Sequence, residues 1–70
     1  MIEFSKNLIN IRNSYNMTKR TLADKLNVSL STIENWENDK SLPSLINLYK
    51  LCKQLNCSSD KILGVDSFKG

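Results

Sequence analysis

The chain has 70 residues, 40% of them hydrophobic, enough for one small domain around one core. Ten Lys and Arg against seven Asp and Glu give a net charge of +3 and a sequence pI near 9.0, a mild basicity that suits nucleic acid without identifying it. Histidine is absent, which removes most metal sites and most general acid–base schemes.

The two cysteines, Cys52 and Cys57, lack the spacing of a zinc ligand pair and read as small apolar side chains in a reducing cytosol. No run of about 18 apolar residues exists to span a bilayer. The start, Met1 to Lys6, has no apolar stretch of the signal-peptide kind, so a cytoplasmic location is expected. Two glycines and one proline argue against a β-rich fold. Without histidine, a paired carboxylate site or an activated cysteine, the chain is not expected to be an enzyme. It is too small to enclose a substrate, and no cofactor, metal, membrane or small-molecule substrate is expected.

Phe4, Leu8, Ile11 and Tyr15 are spaced by four, three and four, which predicts a first helix with one apolar face, ending near Asn16. Thr18 is a good N-cap for a second helix carrying Leu22, Ala23 and Leu26. Asn27, which tolerates the left-handed conformation, ends it. Ser29 offers the next N-cap, and a third helix runs from Leu30 to Asn38 with Ile33 and Trp36 inward. Asp39 to Ser44 is a loop containing Pro43. Ser44 caps a fourth helix, where Leu45, Leu48, Tyr49, Leu51, Cys52 and Leu55 make a broad apolar face interrupted at Asn56. Ser58 or Ser59 opens a last short helix with Ile62 and Leu63, which Gly64 stops. The fold class is therefore all-α, a compact bundle of five short helices. Residues 1–70 form a single domain with a core over 4–63 and a tail over 65–70.

Helices 2 and 3, joined by three to four residues, follow the helix-turn-helix plan. Ala23 supplies the small residue where crossing helices approach, and Leu22, Leu26, Val28, Ile33 and Trp36 lock the pair onto the core. The segment MTKRTLADKLNVSLSTIENWENDKSLP, Met17 to Pro43, resembles the Cro/lambda-repressor-type (XRE-like) helix-turn-helix DNA-binding family. LINLYKLCKQLNCSSDKIL resembles that family's fourth and fifth helices, so with helix 1 the likeness covers nearly the whole chain. There are departures. Lys19 stands where glutamine is frequent, and Thr21 where glutamate is frequent. The second change removes the capping-box partner of Thr18 and predicts some fraying of helix 2. Asn27 and Asp39 stand where glycine is common, which predicts modest turn strain.

The resemblance implies a sequence-specific double-stranded DNA-binding transcriptional regulator, repressor-like, with helix 3 in the major groove. At about 100° per residue, and taking Ser31 as zero, Glu34 lies near −60°, Asn35 near +40° and Asn38 near −20°, forming one polar stripe opposite Ile33 and Trp36. Candidate base contacts are Ser29, Leu30, Ser31, Glu34 and Asn35. Asn35 matches adenine in bidentate fashion, Leu30 a thymine methyl, and Glu34 a cytosine amino group or a repelled phosphate. Candidate phosphate contacts are Thr18 and Lys19 at the start of helix 2, and Asn38, Lys40 and Ser41 after helix 3. The family likeness further implies a structural ion pair between Arg12 and Glu37. A homodimer on a palindromic operator is expected, with Leu63, Val65 and Phe68 as first interface candidates, then Tyr49 and Leu45. The alternative is a protein-interaction module, such as an antitoxin or anti-repressor subunit, that keeps the fold without needing DNA.

Overall fold

The structure, a computed structural model, describes residues 3–65. Within them the chain forms α1 (Phe4–Ser14), α2 (Lys19–Leu26), α3 (Leu30–Glu37), α4 (Leu45–Gln54) and α5 (Ser59–Leu63), with no strand among the described residues. Each of the last four helices starts on a hydroxyl. Thr18, Ser29, Ser44 and Ser58 are extended, and each side-chain oxygen accepts from the backbone N–H three residues on. That bond satisfies one of the donors a helix start leaves unpaired.

The helix ends share a second rule. Asn16, Asn27, Asp39, Asn56 and Gly64 all have positive φ, between 48° and 81°. At the first four ends the next residue's N–H reaches back to the carbonyl five positions earlier: Met17 to Arg12, Val28 to Ala23, Lys40 to Asn35 and Cys57 to Cys52, at 2.9–3.2 Å. These are Schellman endings, which use carbonyls the helix itself leaves unpaired. The expected strain at Asn27 and Asp39 corresponds to φ of 57° and 63°, and Asn16 and Asn56 share it. At the start of α2, Thr21 N–H donates to Thr18 Oγ1 and the Thr18 hydroxyl donates to Thr21 Oγ1 at 2.9 Å, so Thr21 meets the cap's hydroxyl where a capping-box carboxylate would meet the cap's backbone N–H.

The core consists of Phe4, Leu8, Leu22, Ala23, Leu26, Ile33, Trp36, Leu51, Leu55 and Ile62. Phe4 meets Trp36 edge to face, with ring centroids 6.4 Å apart. α1 packs on α3 and α5, α2 on α3 and α4, and α4 on α5, so α3 is gripped from behind by α1 and α2. Two tethers fasten α1 to the distal helices. Asn7 Nδ2 donates to the carbonyls of Lys61 and Ile62, and the Tyr15 hydroxyl donates to the Leu55 carbonyl at 2.7 Å.

Several sequence expectations change. α3 stops at Glu37, with Asn38 as its cap. Tyr15, expected on the buried face of α1, is exposed, and Arg12 is buried instead. The broad apolar face of α4 is split. Leu51 and Leu55 are buried, and Leu48 and Cys52 half-buried, but Leu45 is 84% and Tyr49 63% exposed. α2 and α5 pack on the inner side of α4, while on the outer side the Tyr49 ring meets the Lys53 ammonium at 5.6 Å. Cys52 and Cys57 pack against the core yet keep part of their surface in solvent.

Candidate nucleic-acid interface

α3 is short, eight residues, and its two faces differ sharply. Ile33, Trp36 and Glu37 are buried, whereas Ser31, Asn35 and Asn38 are exposed, with Leu30 and Glu34 half-exposed between them. The angular stripe drawn from the sequence is thus the outward surface of α3. Asn35 is also a member of the α3 Schellman ending: its carbonyl accepts from Lys40 N–H at 2.9 Å. The backbone therefore brings Lys40 back beside the last turn that carries Asn35 and Asn38.

Ser29 has a more restricted position than a bare candidate reader. Its Oγ accepts from Thr32 N–H at 3.2 Å and lies 2.9 Å from Thr32 Oγ1. The hydroxyl is occupied with capping α3. Thr18 is similarly engaged with Thr21. Both caps hold their helix starts, and those starts place the N–H groups of Lys19 and Arg20, and of Leu30 and Ser31, at positive helix ends. Arg20, overlooked in the sequence, is exposed next to half-buried Lys19 and completes a basic pair in the first turn of α2. The adjacent Lys-Arg dipeptide at the first two helical positions was the available signal. On the other side, Asn38, Lys40 and Ser41 are all exposed in the segment leaving α3.

The link holding α3 in place is buried. Arg12 Nε donates to Glu37 Oε2 at 2.6 Å and Nη2 to Glu37 Oε1 at 3.1 Å, a two-pronged pairing of guanidinium and carboxylate. The side chains are 10% and 4% exposed. Arg12 Nη1 also donates to the Met17 carbonyl at 2.7 Å, so one guanidinium joins α1, the α1–α2 turn and the end of α3. No buried side-chain nitrogen or oxygen among the described residues lacks a partner. Sequence reasoning did not anticipate the Met17 bond, because it depends on the left-handed turn at Asn16.

No group of three or more Cys, Asp or Glu side chains among the described residues is placed to hold a metal ion. No described helix is long and apolar enough to cross a membrane. Of the interface candidates, Leu63 packs against the core, Val65 is exposed, and Phe68 lies outside the described residues. The exposed apolar side chains gather instead on and before α4: Leu42, Leu45, Ile46 and Tyr49.

A family model described as helix-turn-helix matches residues 8–62. The transcriptional repressor RstR of cryptic phage CTXphi, from Vibrio cholerae serotype O1, is 30% identical over 63 residues, 90% of this chain and 56% of its own length. The HTH-type transcriptional activator BcrR of Enterococcus faecalis is 32% identical over 62 residues, 89% of this chain and 30% of its own length. A transcriptional regulator from Listeria innocua, known from a crystal structure, shares the fold with a TM-score of 0.85 at 22% identity, over 91% of this chain and 60% of that one. The chain spans less than two thirds of the length of each of these proteins.

Proposed function

Because the chain belongs to the XRE-type helix-turn-helix family, we propose that it is a sequence-specific double-stranded DNA-binding transcriptional regulator that lays α3 in the major groove. The observation that carries this reading is the two-faced α3: Ser31, Asn35 and Asn38 outward, Ile33, Trp36 and Glu37 buried behind them. A helix clamped from the rear and polar at the front is what base-edge readout requires. Asn35 pairs with adenine, Ser31 donates or accepts, Leu30 covers a thymine methyl, and Glu34 selects for cytosine or against a wrong approach. Ser29 and Thr18 act mainly through the helix starts they cap. Lys19, with Arg20, neutralises phosphate on one side; on the other Lys40 does so, with Asn38 and Ser41 donating hydrogen bonds to phosphate oxygens.

The regulator is repressor-like. Of the two curated relatives, the one named a repressor has the larger share of its length matched by this chain. It binds as a homodimer on a palindromic operator, because one α3 covers only a few base pairs and a two-fold pair doubles the contacts. The exposed row Leu42, Leu45, Ile46 and Tyr49 is the surface this dimer uses.

Selection of bound sites from random duplex DNA tests the proposal. The expected product is an inverted repeat with half-sites about one helical turn, roughly 10 base pairs, apart. Asn35→Ala should then lose preference at one position of each half-site. No enriched sequence overturns DNA readout, and an enriched single half-site overturns the dimer. Sedimentation over a range of concentrations adds a direct measure. A strict monomer, or a dimer indifferent to Leu45→Asp, removes the α4 surface from the account.

A further inference from the structure

The joint between α4 and α5 carries two thiols for which DNA recognition has no use. Cys52 lies in the last turn of α4 and Cys57 immediately precedes the α5 cap, Ser58. Between them Asn56, at φ 48°, turns the chain back so that Cys57 N–H donates to the Cys52 carbonyl at 3.1 Å. In a Schellman ending these are the two positions whose side chains meet, ordinarily as an apolar contact. The corresponding pairs at the other three ends are Arg12 with Met17, Ala23 with Val28, and Asn35 with Lys40. Only the α4 ending pairs two like reactive groups. Both are partly exposed, and both line one open groove of about 330 Å³ alongside Leu45, Leu48, Tyr49 and Ser58.

We propose that Cys52 and Cys57 form a dithiol modification site, which a small disulfide of the glutathione type converts into an intrachain disulfide. The groove admits the reagent on a free protomer, because the proposed dimer surface shares Leu45 and Tyr49 with it. The backbone bond supplies the geometry, since a disulfide needs α-carbons roughly 4.4–6.8 Å apart and residues joined by a direct N–H···O bond lie at about that separation. Cys52 thiolate attacks one sulfur of the reagent, whose S–S bond breaks and releases one half as a thiolate. Cys57 passes its proton to that thiolate and attacks Cys52 Sγ, expelling the second half, which takes a proton from solvent. Two protein thiols and one small disulfide thus become one protein disulfide and two small thiols. Cys57 is the second nucleophile, because burial, followed by the neighbouring Cys52, holds its thiol protonated. The bond ties the end of α4 to the start of α5 and leaves the α3 surface untouched.

The full chain is equilibrated with mixtures of reduced and oxidised glutathione, and its remaining thiols are trapped with N-ethylmaleimide and counted by mass spectrometry. Both thiols should disappear together while the chain stays single on a non-reducing gel. The disulfide equilibrium should be at least about tenfold more favourable in buffer than in denaturing urea, because the native turn already closes the loop. Cys52→Ser and Cys57→Ser should each stop at a mixed disulfide, with Trp36 emission reporting that each variant is folded. A mixed disulfide that persists on the unaltered chain, chains linked to one another, or an equilibrium equal in urea overturns the assignment. None of these readouts depends on DNA binding.

Discussion

Replacing Glu37 with alanine leaves the Arg12 guanidinium in a nearly closed pocket with one of its three hydrogen bonds, the 2.7 Å contact to the Met17 carbonyl. Removing one partner of a buried ion pair typically costs about 3–5 kcal/mol, because the other charge stays desolvated. A chain of this size is stable by roughly 3.5–10 kcal/mol in total at about 0.05–0.15 kcal/mol per residue. The substitution therefore takes away a third of the stability or all of it. The thermal midpoint should fall by at least about 12 °C, at roughly 4 °C or more per kcal/mol for a small domain. Urea titration followed by the emission of Trp36, which is 3% exposed, measures the loss directly. A second variant isolates the cause. Arg12→Met combined with Glu37→Leu removes both charges and should regain at least about 2 kcal/mol over Glu37→Ala, although the Met17 carbonyl loses its partner. A loss below about 1 kcal/mol for Glu37→Ala, or a double variant no better than the single one, would falsify the buried-pair account. A change in preferred DNA sequence at unaltered stability would move Glu37 from scaffold to reading surface.

Lys19→Ala and Lys40→Ala should each weaken binding to every sequence alike and lower the slope of log affinity against log salt by about 0.9; an unchanged slope removes that lysine from the phosphate contacts. Asn27→Gly and Asn56→Gly relieve positive φ and should each stabilise the fold by up to about 1 kcal/mol, whereas Asn27→Ala should cost about 1–2 kcal/mol; equal denaturation midpoints for all three contradict the left-handed endings. Burial, then the adjacent Cys52, raises the Cys57 thiol above its usual value of 9.0. The folded state thus holds the proton more tightly. Its contribution is complete below pH 9 and is lost as pH rises through the higher folded value. Under reducing conditions Cys57→Ala should flatten the fall in stability above pH 9, and superimposable curves for the two proteins argue against it.

Helix starts and stops were legible because their causes are local. A hydroxyl three residues before an N–H acts as a cap wherever the chain places it, as Thr18, Ser29, Ser44 and Ser58 do. Asparagine enters the left-handed region more readily than most residues, so Asn27 and Asn56 marked ends without any knowledge of the rest. The polar face of α3 likewise followed from 3.6-residue periodicity, since Ile33 and Trp36 leave only one side for Ser31 and Asn35. The motif from Met17 to Pro43 added the family, and with it the pairing of Arg12 with Glu37, which lie 25 positions apart and which periodicity alone does not connect.

Tertiary structure decided what periodicity treats as equivalent. Tyr15 and Arg12 both lie near the inner edge of α1. Arg12 goes inside because Glu37 and the Met17 carbonyl meet its charge there, and Tyr15 stays outside because its hydroxyl has a partner at the rim in Leu55. On α4, Leu45 and Tyr49 have the same apolar character as Leu51 and Leu55, yet α2 and α5 cover only one side of that helix. Whether an apolar residue is buried depends on which helix arrives opposite it, a long-range outcome its own spacing does not contain. The sequence by itself therefore determined five short helices, four of them capped by a hydroxyl, and the readable side of α3. The packing determined which charge is sealed behind α3 and which apolar row of α4 is left uncovered.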